Sequence, residues 1–364
     1  MGPLADRGLL RAMVYGGAVL GGGGGGSLAS GLSSASEASR LGRPRLVSLN
    51  QVPSDAILAT LSAIGSVDTS DALNEAHFDR AIEVFQALAE RPVYGFIASE
   101  VGPRAVTYGL AHSARTGQPI VDAPCNGRAH PVSAMGSLGL HLEPGHTSVT
   151  VAVGGQEGSP DYLELAVRAD VAGAGRFFRE SAARSGALAV VRNALPATWV
   201  KKHAAVGALS YAARVGRVLL GALSAGPTAV LRALAAAMGG RVIGRGVVSE
   251  VVLAPTSGFT MGEIKIADDR DGGITLPTCN EFMSAIVHGQ TAAAFPDLIT
   301  VFDGETGLPL ASSEVRARQP VAVFAVARQR LLLGSPMRDA RLLAPIEEHL
   351  GVNLKVSKLA AARL

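Results

Sequence analysis

Residues 92–131 read PVYGFIASEVGPRAVTYGLAHSARTGQPIVDAPCNGRAHP, and the class of fold follows from their pattern. The apolar segments at 92–98 and 120–122 are typical of buried strands, and residues 105–116 between them have helical spacing. Strand, helix and strand in succession are typical of a parallel sheet covered by helices. We therefore predict an α/β architecture for this part of the chain.

The same alternation of helices and strands continues through the rest of the first half. Residues 74–90 carry the clearest amphipathic pattern, with Phe78, Ile82 and Phe85 on one apolar face. The other regular segments that we predict here are helices at 5–20 and 27–40 and strands at 45–49, 56–63 and 149–154.

The second half of the chain changes from helical to strand-like patterns. We predict helices at 175–184, 196–223 and 228–238, then strands at 247–252, 258–266, 292–302 and 321–327, and a late helix at 339–350. The fold class expected is therefore α/β, with an N-terminal parallel-sheet domain at 1–165 and a C-terminal β-rich (α+β) domain at 166–364, whose first segment is helical.

The composition of the chain argues against a nucleic-acid surface and against a membrane span. The chain has 364 residues, a net charge of only +3, scattered basic residues and 4% aromatics, which argues against a nucleic-acid surface. The longest uncharged stretch, at 12–36, is too rich in glycine and serine for a membrane span. Arg11 interrupts the apolar start, so we expect no signal peptide. With only two cysteines, far apart in the sequence, we expect reduced thiols and a cytoplasmic location. We also expect a homo-oligomer that acts on a small molecule.

The loop after the 120–122 strand concentrates chemically active side chains. Asp122 ends the strand, and Cys125, Arg128 and His130 follow within eight residues. Glu100 lies at the end of the preceding strand. Because the carboxyl ends of neighbouring parallel strands meet at one rim, we expect these groups to lie together and to be catalytic.

Three interpretations of this loop remain open from the residues alone. Cys125, His130 and Asp122 could bind a divalent metal, most simply zinc, which takes sulfur, nitrogen and oxygen ligands. Cys125 could instead be a nucleophile with His130 as its base. The third interpretation is a buried small cysteine, a capping aspartate and a surface histidine. Arg128 could bind a substrate carboxylate or pair with Glu100 or Asp122.

Two further segments are candidates for binding the substrate. Six consecutive glycines precede Ser27 and a predicted helix, so backbone N–H groups around Gly23, Gly24, Gly25, Gly26 and Ser27 could bind an anion. The spacing matches neither a P-loop nor a dinucleotide fingerprint, and the alternatives are a tight helix–helix crossing or a flexible lid. Asn280 and Glu281 could reach the first domain or simply cap turns.

Several motifs together resemble a known family. They are GGGGGGS at 21–27, SEVG at 99–102, VDAPCNGRAHP at 121–131, NEFM at 280–283 and FPDLI at 295–299. In this order they resemble the S-methyl thiohydantoin desulfurase family, a bacterial family long without an assigned function. It is related to the thiohydantoin propionate desulfhydrases of ergothioneine breakdown. The likeness covers nearly the whole chain. One departure is Pro103-Arg104, where many members carry a second glycine, and this could alter substrate choice.

The resemblance implies two domains and a hydrolase that removes sulfide or methanethiol from a thiohydantoin ring, assisted by a divalent metal. Glu100 or Asp122 would activate water, and Arg128 would hold developing negative charge. We assign Asn126, Asn280 and Glu281 to substrate binding together with the glycine loop. Two rival hypotheses are a metal-free, Cys125-dependent hydrolase of hydantoin-like rings and a non-catalytic partner subunit of a hydantoinase-type enzyme.

Overall fold

The chain forms two sheets with helices packed on and between them. The computed structural model describes residues 5–65, 73–256, 258–268 and 272–354. The first sheet is mixed and the second is antiparallel. The predicted class, an α/β domain followed by a β-rich domain, is confirmed.

The first sheet combines parallel and antiparallel strands. Its strands are β1 (Leu46–Val47), β2 (Ile57–Gly65), β3 (Val93–Ala98), β4 (Ile120–Val121), β5 (Ser148–Gly154), β6 (Leu163–Ala169) and β7 (Ala187–Pro196). They are arranged in the order β1-β4-β3-β2-β7-β5-β6. β1, β4, β3 and β2 are parallel, whereas β7, β5 and β6 continue the sheet in antiparallel pairs. The sheet therefore continues beyond residue 165 and ends at Pro196. The domain boundary that we predicted at 165/166 stays a prediction.

Strands β6 and β7 are absent from our sequence prediction. Residues 172–236 are rich in alanine and leucine, and a short apolar run such as ALAVV cannot be assigned to strand or helix by periodicity alone. β7 becomes a strand because it fills the gap between β2 and β5, where both of its faces are buried. Tertiary pairing thus overrides the local composition.

Most helices agree with the predicted segments, but the helices predicted at 105–116 and 339–350 begin five residues later, and another predicted helix is broken. They are α1 (Arg7–Leu20), α2 (Leu28–Leu41), α3 (Glu75–Leu88), α4 (Leu110–Thr116), α5 (Val171–Ser185), α6 (Ala197–His203), α7 (Ala208–Ala222), α8 (Pro227–Met238) and α9 (Ala344–Leu350). The single helix predicted at 196–223 is wrong, because Gly207 adopts a left-handed conformation with φ 84° between α6 and α7. α3 packs on one face of the first sheet, and α5 and α6 pack on the other.

Helices α1 and α7 cross at very short range. A Cβ atom on Gly16 would lie 1.7 Å from the carbonyl oxygen of Ala212, and one on Gly216 would lie 1.8 Å from that of Ala12. The tight helix–helix crossing therefore uses these two glycines and not the run at 21–26.

In the part of the chain that the structure describes, no single helix is long and apolar enough to span a membrane. Helices α6 and α7, with the turn after α7, reach that length and hydropathy only when taken together, and they are bent by 51°.

The second sheet is built from β8 to β16. Its strands are β8 (Arg241–Thr256), β9 (Phe259–Ala267), β10 (Ile274–Cys279), β11 (Glu281–Phe282), β12 (Ser284–Val287), β13 (Gln290–Ala294), β14 (Leu298–Asp303), β15 (Pro309–Leu310) and β16 (Pro320–Val326). The strand predicted at 292–302 is two strands, β13 and β14, with Pro296 between them.

Helix α1 joins the two sheets and directs the glycine run toward the second one. Phe302 and Phe324 of the second sheet share a buried apolar cluster with Val19 of α1 and Leu219 of α7. The Thr300 hydroxyl also donates to the carbonyl oxygen of Val19, at 2.8 Å. The segment that follows α1 is consequently placed at the boundary between the two sheets.

Candidate active site

A polar cleft lies where the two halves of the molecule meet. Its volume is about 70 Å³, and Gly25 and Gly26 of the glycine run form part of its wall. The side chains that matter chemically in its lining are Ser62, Glu100, His130, Arg179, Arg192 and Glu281. The predicted rim of the parallel strands thus forms only one side of the cleft, and the second sheet closes the other.

The glycine run is held against the second sheet by its carbonyl groups. The carbonyl oxygen of Gly22 accepts from the Phe282 N–H, and that of Gly23 accepts from the Ser312 N–H, both at 2.9 Å. Gly22 and Gly23 have φ of 59° and 95°, which favour glycine over any residue with a Cβ. The loop can therefore follow this path only because its residues lack side chains.

Glu100 follows β3 and faces the cleft, as the sequence predicted. Its Oε2 accepts a hydrogen bond from the His130 N–H at 3.1 Å, and the His130 Nε2 lies 3.7 Å from the same oxygen. Burial raises the pKa of Glu100 to about 7, opposed by that N–H and by the nearby charges of Arg192 and Arg128. A carboxyl with such a pKa exists in both protonation states near neutral pH, which suits acid–base catalysis.

Glu281 brings a second carboxyl to the cleft from the other domain. It begins β11 directly after Asn280, which turns the chain with φ 57° and whose Oδ1 accepts from the Thr260 N–H at 2.8 Å. Glu281 is buried, and within the described residues its Oε2 has no hydrogen-bond partner. Burial, and then the charge of Glu100, raise the pKa of Glu281 well above its ordinary value. Two carboxyls in one buried site resist ionising together, so the pair holds a proton.

His130 is buried in the cleft and is not a surface residue. Its Nε2 lies 3.4 Å from the carbonyl oxygen of Ser99. Burial, and then the charge of Arg192, lower the pKa of His130 to about 3, so the ring is neutral near pH 7. Its backbone N–H orients Glu100, and the neutral ring supplies a polar wall beside it.

Arg128 lies behind the cleft. Its Nη1 donates to the backbone carbonyl oxygens of Pro296, at 3.2 Å, and Asp297, and the guanidinium lies 4.4 Å from the centre of the Phe295 ring. It is fully buried, and burial lowers its pKa to about 10. The ion pair with Glu100 or Asp122 that the sequence left open does not form among the described residues: Nη1 is bound by the second domain's backbone, and Nη2 has no hydrogen-bond partner there. Arg128 acts on the carboxyl pair through its charge.

Two arginines in the cleft were not singled out from the sequence. Arg192 of β7 donates through Nη1 to the Ser133 carbonyl at 3.1 Å. Arg179 of α5 donates to the Pro131 carbonyl at 3.2 Å and stacks over the Phe259 ring at 3.6 Å. A sequence signal did exist for Arg192, since a charge inside the apolar run ALAVVRNAL is unusual. It is informative only once that run is recognised as a buried strand.

Asp122 does not face the cleft but caps helix α7. Its Oδ1 accepts from the Leu209 N–H at 2.7 Å and its Oδ2 from the Ser210 N–H at 3.1 Å. Both oxygens are therefore used by the first turn of a helix that arrives from the second half of the chain. The structure supports the capping interpretation of Asp122 over the catalytic or metal-binding one.

Cys125, Asn126 and Ser27 also have local structural partners. The Cys125 Sγ lies 3.6 Å from the Thr60 Oγ1 in an apolar cluster, and burial raises its pKa to about 11, which keeps the thiol protonated. Asn126 donates to the Met135 carbonyl at 2.8 Å and accepts from the Gly334 N–H at 2.9 Å. Ser27 caps α2. These contacts favour packing for Cys125 and loop fixation for Asn126.

The predicted zinc ligands do not form one set of donors. The described residues contain no group of three or more His, Cys, Asp or Glu side chains that could hold a metal ion. Asp122 uses both oxygens in capping α7, and the thiol of Cys125 is buried and protonated. These residues do not fit a bound zinc ion, and the metal dependence predicted from the sequence stays untested.

The fold and the site define a two-domain protein, α/β and then antiparallel β, with a cleft that takes one carboxyl from each domain. Residues 9–164 match the S-Me-THD-like N-terminal domain, and residues 169–337 match the S-Me-THD-like C-terminal domain. The chain belongs to the S-Me-THD-like family, in agreement with the sequence motifs.

A solved structure supports the same architecture over nearly the whole chain. A crystal structure of a protein from Chromobacterium violaceum is 19% identical, covers 96% of this chain and 97% of its own, and superposes with a TM-score of 0.73. At this identity the likeness shows the fold. None of the curated proteins matches the chain.

Proposed function

We propose that this protein is a hydrolase that removes sulfur, as sulfide or methanethiol, from a thiohydantoin or S-methyl thiohydantoin ring bound in the cleft. The observation that carries the proposal is the pair of carboxyls that line the cleft, Glu100 and the buried Glu281, one from each domain. Membership of the S-Me-THD-like family supports the thiohydantoin ring as the substrate class.

The chemistry requires one base and one acid. Water attacks the ring carbon that carries sulfur, a C–O bond forms, and a base takes a proton from the water. The C–S bond then breaks, its electron pair leaves with sulfur, and an acid supplies the proton. The net reaction replaces C=S by C=O with release of hydrogen sulfide, or replaces S-methyl by oxygen with release of methanethiol.

The two carboxyls differ in pKa, as the roles of base and acid require. Glu100, with a pKa of about 7, is partly ionised near neutral pH and is the base that activates water. Glu281, whose pKa lies well above the ordinary value, stays protonated and is the acid for the leaving sulfur. The His130 N–H holds the Oε2 of Glu100 in place, as a fixed donor would in a preorganised site.

Attack by Cys125 has less support than attack by water. Its thiol is buried in an apolar cluster, and its pKa of about 11 leaves little thiolate at neutral pH.

The test is an assay on the purified chain alone. Thiohydantoins, S-methyl thiohydantoins and hydantoins are supplied, and released sulfide or methanethiol is measured with and without a chelator. We expect release from the sulfur-containing rings. No release from any of them, or activity that appears only after a second protein is added, would overturn the proposal and favour the partner-subunit alternative. Loss of turnover in chelator, restored by Zn²⁺, would support the predicted metal, and unchanged turnover would remove it.

A further inference from the structure

One end of the cleft holds buried donors that the acid–base pair does not use. Arg192 is 7% exposed and Ser62 is 4% exposed, and both line the cleft. Within the described residues, the Nε of Arg192 and the Oγ of Ser62 have no hydrogen-bond partner. Leaving a buried donor unpaired costs free energy, so such groups commonly have a partner in the functional complex.

These two donors lie close together because of the register between β2 and β7. Ser62 pairs with Val190, and Arg192 pairs with Thr60, so their side chains are diagonal neighbours on one face of the sheet. Diagonal neighbours on paired strands are about 7–8 Å apart at their Cα atoms, a gap that an arginine side chain spans. One small group in the cleft can therefore contact both.

The same donors adjoin the acid–base pair. A Cβ atom on Gly136 would lie 2.9 Å from the Nη2 of Arg192 and 2.9 Å from the Nε2 of His130, so both side chains pack against this glycine and lie close to each other. The backbone N–H of His130 in turn holds Glu100. A group bound by Arg192 and Ser62 is thus next to the carboxyl that activates water.

The charge balance of the cleft favours an anion at this end. Burial keeps the carboxyls of Glu100 and Glu281 at least partly protonated near neutral pH. Burial also lowers the pKa of Arg179, but only to about 10, so Arg179 remains charged. Burial lowers the pKa of Arg192, but a guanidinium starts from so high a pKa that the side chain remains a cation near neutral pH. Positive charge therefore exceeds negative charge around the bound molecule.

We propose that Arg192 and Ser62 form a subsite for the leaving sulfur, which they bind as it takes up the electron pair of the breaking C–S bond. This inference rests on the proposed function and adds the residues that stabilise its leaving group. A guanidinium N–H and a hydroxyl are donors suited to a sulfur anion. Glu281 then protonates that sulfur, which leaves as hydrogen sulfide or methanethiol.

The test measures binding of thiocyanate, a stable sulfur-containing anion, by titration calorimetry at neutral pH and constant chloride. We expect Arg192→Met to weaken binding by about tenfold or more, and Ser62→Ala by about fivefold, from the loss of one charge-assisted and one neutral hydrogen bond. Arg192→Lys keeps a cation and should recover part of the affinity. Arg168→Met, which removes an exposed arginine of the first sheet, is the control and should bind as the wild type does.

Turnover separates failure of the subsite from failure of the proposed function. With an active substrate, both cleft variants should lower kcat more than they raise KM, because the donors act on charge that develops in the transition state. Wild-type-like thiocyanate binding by Arg192→Met and Ser62→Ala, or no binding by the wild type, would overturn the subsite. Retained subsite binding by a wild type that releases no sulfur would overturn the proposed function alone.

Discussion

The carboxyl of Glu281 occupies the space in which a side chain on Gly24 would begin. An ideal Cβ atom on Gly24 would lie 1.9 Å from the Oε1 of Glu281, across the boundary between the two domains. The glycine run is therefore a close-fitting wall for this carboxyl, and the absence of side chains there is a requirement of the site.

Gly24→Ala tests this contact. The added methyl group must displace the Glu281 carboxyl, so we expect sulfur release to fall by about tenfold or more while the chain remains folded. Gly221→Ala is the matched control, because a Cβ atom there meets nothing within 4 Å. It should leave turnover unchanged and raise the free energy of unfolding by about 0.5–1 kcal/mol as a helix substitution. Equal turnover of both variants would show that Glu281 does not need this position.

Asp122→Asn separates helix capping from catalysis. Asparagine cannot accept both the Leu209 and the Ser210 N–H groups as a carboxylate does, and it loses the interaction with the helix dipole. We expect the free energy of unfolding to fall by about 1 kcal/mol, from one weakened hydrogen bond and the lost interaction with the helix dipole, measured by urea denaturation. Turnover per folded molecule should persist, and its abolition without loss of stability would restore Asp122 as a catalytic group.

Cys125→Ala tests whether the thiol of this residue takes part in catalysis. Because this thiol is buried among apolar side chains and its pKa is raised to about 11, we expect the variant to keep its turnover. In the wild type, native Cys125 should resist alkylation until the protein is unfolded, which mass spectrometry of the labelled peptide can follow. Rapid labelling of the native protein together with inactivation of the variant would support cysteine catalysis instead.

Stability should decrease as pH rises through the titration of Glu100. Its pKa is raised from 4.5 to about 7 on folding, so the folded state holds this proton more tightly than the unfolded state. The contribution of Glu100 to the free energy of unfolding is complete below pH 4.5 and is lost as pH rises through about 7. Glu100→Gln cannot ionise and should flatten this slope in urea midpoints, whereas exposed Glu83→Gln should preserve it. An unchanged slope in Glu100→Gln would contradict the raised pKa.

The sequence alone predicted the features that depend on local pattern. Strand β3, α4 and β4 alternate as expected, and Glu100 and His130 do meet at the strand ends. The role of Asp122 was left open between capping, catalysis and metal binding, because its partner is the start of α7, which reaches it only through the tertiary fold. A capping aspartate and a catalytic aspartate look the same at the end of a strand.

The rest of the site depends on long-range packing. Arg192 is placed by β7, whose apolar composition resembles that of the neighbouring helices, so the strand and its buried charge were both missed. The reach of Glu281 into the cleft was left open, because the turn at Asn280 has a positive φ that composition does not reveal. Its contact with the glycine run requires the two sheets to be brought together by α1.

The pH dependence of sulfur release in the wild type and in Glu281→Gln tests the carboxyl pair most directly. We expect a bell-shaped wild-type profile, rising through about pH 7 as Glu100 ionises and falling at higher pH as Glu281 loses its proton. Glu281→Gln should lower kcat by roughly 10²–10⁴-fold and remove the alkaline limb. Wild-type turnover with an unchanged profile in Glu281→Gln would show that Glu281 is not the acid that protonates the leaving sulfur.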